Sequence, residues 1–160
     1  MSAMLREGEK APKFSLPQSG GGKVQLSDFK GRILVLYFYP RADTEGCTKE
    51  AIDFSRLAKS FDKIGASVVG VSADALKAIE RFRDKHKLSV VLATDETHQM
   101  LEAYGVWAEK SMYGRTFMGV IRATFLIAPD ARIARIWPKV KVTGHADEVL
   151  AAAKGLSRPV

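Results

Sequence analysis

The chemistry of this chain starts at Cys47, its only cysteine. The apolar run Ile33–Tyr39 precedes it and stops at Pro40, and the loop-like residues Arg41 to Gly46 follow. From Cys47 onward Ala51, Phe54, Ala58 and Phe61 recur at spacings of three and four, which predicts a helix that Cys47 opens. A thiol is thus expected where a buried strand meets a helix N-terminus. The N–H groups there lack intrahelical partners and the helix dipole is positive. Cysteines in such settings have pKa values lowered from about 8.5 into a range of roughly 3.5–7.5, so Cys47 is expected to be mainly thiolate at neutral pH. A lone cysteine is also often a small buried hydrophobe. The neighbours argue otherwise: Asp43, Thr44, Glu45 and Thr48 make the loop polar, and Gly46 leaves the approach to the sulfur uncluttered. A structural cysteine belongs more naturally inside Ile33–Tyr39 or Val68–Val71.

Pro40, Thr44 and Cys47, in the spacing Pro-x-x-x-Thr-x-x-Cys, resemble the active-site signature of the peroxiredoxins. The wider sequence is similar to the class called bacterioferritin comigratory protein or peroxiredoxin Q. EGEKAPKFSL, LSDFKGRILVLYFYP, VVGVSAD and RATFLIAPDARI follow that class in order and spacing, from about Gly8 to Gly155. The resemblance implies a thioredoxin-like fold with an N-terminal β-hairpin extension. It also implies a thiol peroxidase, acting on hydrogen peroxide and organic hydroperoxides in antioxidant defence and redox homeostasis.

Such chemistry needs a thiolate to attack the O–O bond and a cation to keep it ionised and hold the peroxide. Arg122 is the candidate cation. It falls in the predicted strand Val120–Ile127, where an arginine is costly unless its head finds a partner, and the resemblance carries the family's active-site arginine onto it. Thr44 is the candidate hydrogen-bonding group for sulfur or peroxide; Pro40 ends the strand and would shield the thiolate. Two departures stand out. Glu45 occupies a place where the class usually has proline. Ile52 stands where many members carry a resolving cysteine, and residues 74–86, the other common location, hold none. A one-Cys cycle follows, in which an external thiol (thioredoxin, glutaredoxin, glutathione or another small thiol) reduces the sulfenic acid.

Rival chemistries find less support. A Cys–His hydrolase needs His86, His98 or His145 beside Cys47, and no local signature links them. No His/Cys/Asp cluster has metal-ligand spacing, and no cofactor is expected. Thiol–disulfide exchange normally uses Cys-x-x-Cys, against Thr44-x-x-Cys47 here. A binding-only protein on the same scaffold would lack an ionised, reachable sulfur.

Length and composition are those of an ordinary globular protein. At 160 residues, 46% hydrophobic and 27% charged, one domain over residues 1–160 is expected. No apolar run approaches a membrane span, and MSAMLREGEK lacks the apolar segment of a secretory signal. One cysteine gives no reason to invoke an oxidising compartment, so a cytoplasmic location is expected. The net charge is +7, but the basic residues are interleaved with acids and read as a solvated face, with steering of anionic partners as a lesser role; nucleic acid is not an expected partner.

The elements that position the site alternate in type. A hairpin is expected over residues 8–26 and a short turn over 27–31. Ile33–Tyr39 reads as a central strand covered on both faces. The Cys47 helix should run to about Ile64, with Gly65 at C′. Ser67–Ser72 and Val90–Ala93 are further strands; Asp74 should cap a helix with Ala75, Ala78, Ile79 and Phe82 inward, and Asp95 or Thr97 should start a short helix. Residues 105–119 read as a long loop. Val120–Ile127 and Ile133–Trp137 are the last strands, and His145–Lys154 a terminal helix. The class is α/β, with a mixed central sheet flanked by helices. Assembly is open between monomer and homodimer, with Tyr104–Phe117 as the candidate contact surface.

Overall fold

The computed structural model describes residues 5–157; the ends of the expected 1–160 domain lie outside the described residues. A hairpin of β1 (Ser15–Pro17) and β2 (Lys23–Gln25) leads into a 3-10 turn, Leu26–Phe29. Then come β3 (Ile33–Phe38), α1 (Glu45–Arg56), α2 (Ala58–Lys63), β4 (Ala66–Ser72), α3 (Leu76–His86), β5 (Val91–Thr94) and α4 (Gln99–Ala103). The chain continues through β6 (Trp107–Met112), β7 (Arg115–Val120), β8 (Ala123–Ile127) and β9 (Ile133–Trp137), and ends in α5 (His145–Ser157). Among the described residues no helix is long and apolar enough to cross a membrane.

The central sheet has the order β5-β4-β3-β8-β9. β3 runs parallel to β4 and β4 to β5, whereas β8 is antiparallel to β3 and β9 to β8. Every residue of β3 is buried, which is why its sequence runs apolar without alternation. Val35 and Tyr37 face a core with Phe54, Phe61, Ile79, Phe82 and Val149. Leu34, Leu36 and Phe38 face a second core with Phe14, Leu16, Met100, Leu101 and Tyr104. The two parallel crossovers, through α1–α2 and through α3, step in the same direction along the sheet, and right-handed connections then place these helices on one face. Helices cover both faces, as the alternation predicts. Tyr37 lies opposite Gly70 in the ladder, and a Cβ on Gly70 would stand 2.5 Å from the Tyr37 ring. Only glycine on β4 admits that ring.

Four expectations need correction. The helix predicted from Cys47 to Ile64 breaks at Leu57, whose ψ of 3° lies outside the helical well. The apolar repeat survives the break because Phe54 and Phe61 enter the same core. Asp74 does not cap α3; that position belongs to Ala75, and the Asp74 carboxylate accepts from the Ala42 N–H at 2.7 Å and the Ser72 hydroxyl at 2.8 Å. Residues 105–119 are not a loop. They hold most of the hairpin β6–β7, closed by Tyr113 (φ 52°) and Gly114 (φ 76°), the two positive φ values that a two-residue primed turn requires. The hairpin is largely solvated on both faces, so it lacks the alternation that would betray a half-buried strand. The strand predicted over Val120–Ile127 is interrupted: β7 ends at Val120 and β8 begins at Ala123, leaving Ile121 and Arg122 between them. Of the proposed contact stretch Tyr104–Phe117, Tyr104 and Val106 are fully buried and present no surface; Met112, Tyr113 and Phe117 are exposed.

Candidate active site

α1 begins two residues earlier than expected, at Glu45, with Thr44 at its N-cap. Cys47 is therefore the third helical residue, inside the first turn, where the N–H groups still lack intrahelical partners. Its side chain is almost wholly enclosed, at 1% exposure. The preceding loop is tied down from α3: the Asp43 carboxylate accepts from Lys85 at 2.8 Å and lies 2.9 Å from His86 Nε2. The hydrogen bonds from Lys85 and then His86 hold the Asp43 carboxyl below its ordinary range. Asp43 itself adopts a left-handed φ of 60°, which aspartate tolerates better than most residues.

Arg122 reaches across from the β7–β8 junction. Its Nη2 donates to Cys47 Sγ at 3.2 Å and its Nη1 to Glu50 Oε1 at 2.8 Å. One guanidinium fork therefore joins the sulfur to a carboxylate, the use for which arginine suits better than lysine. The Arg122 backbone is held by the Val140 N–H, which donates to its carbonyl at 3.0 Å. Burial acts to lower its pKa, but Glu50 and Cys47 outweigh it and raise the value. A Cβ on Gly46 would stand 3.1 Å from Arg122 Nη2. Gly46 does not open the sulfur to solvent, since Cys47 is enclosed; it leaves room for the guanidinium.

Sequence reasoning missed Glu50. It sits three residues after Cys47, a spacing that puts both side chains on one helix face, and that was the available signal. Glu50 is 1% exposed. Burial pushes its carboxyl up to about 7 against the pull of Arg122, because only Oε1 is bonded while Oε2 is buried without a partner. The hydroxyls of Tyr37 and Tyr39, in the same core as Cys47, are likewise buried and unpartnered, and burial raises both pKa values.

The remaining candidates are placed as follows. The Thr44 hydroxyl donates to the Arg41 carbonyl at 2.8 Å, so its proton points back into the loop and its lone pairs stay available. Pro40 is half-buried just beyond the end of β3. The structure brings Cys47 and Arg122 together directly and places Thr44 at the cap of the same helix. Among the described residues none of the three histidines hydrogen-bonds Cys47. His86 faces Asp43, His98 stacks on Trp107 at 3.9 Å, and His145 lies 2.8 Å from the Thr124 hydroxyl, lowered to about 4 by burial. Ile52 is exposed on α1. A helix rises about 7.5 Å over the five residues from Cys47, beyond disulfide reach, so a thiol at position 52 meets the sulfur only if α1 unwinds.

An enclosed sulfur held by a guanidinium at a helix N-terminus is suited to nucleophilic attack on a small electrophile. A family model described as the AhpC/TSA family matches residues 8–136. Peroxiredoxin Bcp of Bacillus subtilis is 43% identical over 150 residues, covering 94% of this chain and 96% of its own. Peroxiredoxin Bcp of Escherichia coli is 42% identical over 146 residues, covering 91% and 94%. Among solved structures, peroxiredoxin Q of Xanthomonas campestris superposes with a TM-score of 0.86 at 42% identity, covering 91% of this chain and 92% of that one. A further structure of the bacterioferritin comigratory protein of that organism, at 41% identity, is described in terms of alkyl peroxide reduction.

Proposed function

The chain belongs to the AhpC/TSA family and is a thiol peroxidase with the thioredoxin-like peroxiredoxin fold, and we propose that Cys47 is its peroxidatic residue. Its substrates are peroxides and it requires a thiol reductant. In the proposed cycle the Cys47 thiolate attacks the distal oxygen of ROOH, the O–O bond breaks, and the alkoxide leaves and takes up a proton. The sulfur is oxidised to sulfenic acid and the peroxide reduced to ROH and, after reduction by thiol, water. Arg122 stabilises the sulfur's charge and the charge developing on oxygen. Thr44, with its own proton given to Arg41, accepts the peroxide O–H, and Pro40 screens the thiolate from water. Glu50 acts through Arg122 and is a positioning residue. The observation that carries this reading is the Arg122 fork, with one arm on Sγ at 3.2 Å and the other on Glu50.

With one cysteine in the chain, the reductant is an external thiol: thioredoxin, glutaredoxin or a small thiol such as glutathione. Hydrogen peroxide and organic hydroperoxides are both proposed substrates, in a cytoplasmic single-domain protein acting as monomer or homodimer in antioxidant defence. The test is intact-mass spectrometry after one equivalent of peroxide without thiol. The expected product is one oxygen heavier, returns to the starting mass on adding thiol, and advances to the irreversible sulfinic form under excess peroxide. Cys47→Ser should consume no peroxide above background. Consumption by that variant, or full turnover of the unmodified protein without thiol, overturns the cycle.

A further inference from the structure

A cavity of about 480 Å³ opens at the end of the central sheet remote from Cys47, within the range of roughly 300–1,000 Å³ usual for small-molecule sites. Its floor is Leu34 and Ile127, cross-strand partners on β3 and β8. Phe14, Leu26 and Phe29 form apolar walls. These walls are held by backbone bonds. The Leu26 N–H donates to the Phe14 carbonyl at 3.2 Å, and the Gly31 N–H to the Pro129 carbonyl at 3.1 Å. The N-terminal hairpin, the 3-10 turn and the β8–β9 turn are thereby tied together, and a site built in advance spares a ligand the cost of ordering it. Leu34 belongs to the core on the other side of the sheet from Cys47. Four residues of strand, roughly 13 Å, separate it from Phe38, beyond which the Cys47 loop begins.

The polar part of the lining is cationic. Lys13, Lys30 and Arg32 face a single carboxylate, Asp130. Arg32 is already engaged: it donates to Asp62 at 3.3 Å and to Ser67 and the Ala66 carbonyl. Asp130 Oδ1 accepts from the Arg132 N–H at 3.1 Å. Among the described residues neither Lys13 nor Lys30 has an ion-pair partner. The apolar walls suit a hydrocarbon, and the two ammonium groups suit an anion attached to it. We propose that this cavity is a binding site for small apolar carboxylates, with the alkyl chain against Leu34 and Ile127 and the carboxylate paired with Lys13 and Lys30. A neutral hydrocarbon would use the walls without the lysines, and an inorganic anion the lysines without the walls. The inference does not depend on the role given to Cys47.

The test is calorimetric titration of the full chain with octanoate, 1-octanol and octylammonium as anionic, neutral and cationic probes. Octanoate should bind at one site per chain, roughly tenfold tighter than octylammonium at low salt, with the preference shrinking as salt is added. Shortening the chain to hexanoate should weaken binding roughly fourfold for each methylene removed. Both lysines are exposed, so Lys13→Glu/Lys30→Glu should fold normally, as read by thermal unfolding, and should prefer octylammonium to octanoate. Amide shifts on adding octanoate should centre on Leu26, Phe29, Gly31 and Ala128. Equal affinity for the anionic and cationic probes, affinity for octanoate unchanged in the double variant, or shifts centred elsewhere overturns the inference. So does the absence of saturable octanoate binding.

Discussion

The Cys47 centre and the β6–β7 hairpin both carry cations, but they do so in opposite media. At the centre, Arg122 and Glu50 are enclosed, with side-chain exposures of 19% and 1%, and the fork has fixed partners. On the hairpin, Met112 and Phe117 are exposed, at 57% and 44%, and the cations face water. A charge in a low-dielectric interior acts strongly on whatever lies beside it. A charge at the surface acts through screening solvent and adapts to different partners. Fixed geometry for the reacting atoms therefore belongs to the enclosed side, where the guanidinium is bonded to both sulfur and carboxylate.

The largest effect should come from breaking the enclosed side. Arg122→Ala is expected to slow oxidation of Cys47 by peroxide roughly 10²- to 10³-fold, the usual cost of losing a preorganised charge donor, as read by stopped-flow intrinsic fluorescence. Arg122→Lys should recover part of this, because a single ammonium cannot span both sulfur and carboxylate. Removing the guanidinium also strands Glu50. Stability should therefore fall in Arg122→Ala and be partly restored in Arg122→Ala/Glu50→Gln, while activity stays low. Recovery of activity in the double variant would contradict the role given to Arg122.

Next comes the pH dependence of stability, where two buried groups oppose each other. Glu50 is raised from 4.5 to about 7, so its folded form holds a proton more tightly than the unfolded chain. Its contribution is complete below about 4.5 and lost as pH rises through 7. His145 is lowered from 6.5 to about 4. Its contribution is complete above about 6.5 and lost as pH falls through 4. Between about 4.5 and 6.5 the slopes have opposite signs, and each integrates to about 3 kcal/mol over its full window. Urea unfolding of the unmodified protein should vary little there. Glu50→Gln should unmask a stability that rises with pH, and His145→Gln one that falls. Parallel profiles for the two variants would refute the assignment.

A smaller loss is expected from Gly46→Ala. Its methyl meets Arg122 Nη2, and the guanidinium must give by a few tenths of an ångström, so peroxide reactivity should drop about tenfold by the sensitivity of reacting geometry to small displacements. Thermal unfolding should be nearly unchanged. The smallest effect belongs to the hairpin: Phe117→Ser should alter stability by no more than about 0.5 kcal/mol, as for surface positions generally. A large loss there would mean that the hairpin belongs to the enclosed core after all.

What the sequence determined by itself was local. The unbroken apolar text of Ile33–Phe38 encodes a strand buried on both faces, since no other environment tolerates it. Pro40, Thr44 and Cys47 mark the passage from that strand to a helix start, and a single cysteine settles that no intrachain disulfide forms. The exposed hairpin was illegible because its strands bury neither face, and the cap of α3 because Asp74 is drawn off by Ala42 and Ser72. What only the tertiary structure decided was which distant groups meet. Arg122 lies 75 positions from Cys47 and 72 from Glu50, Lys85 and His86 lie 42 and 43 from Asp43, and neither set leaves a mark in local spacing. Arg122 arrives because β8 pairs antiparallel with β3, which brings the start of β8 beside the end of β3 where α1 begins. Hydrophobic periodicity records only whether a side chain is buried; which partner it is buried against is set by the order of strands in the sheet.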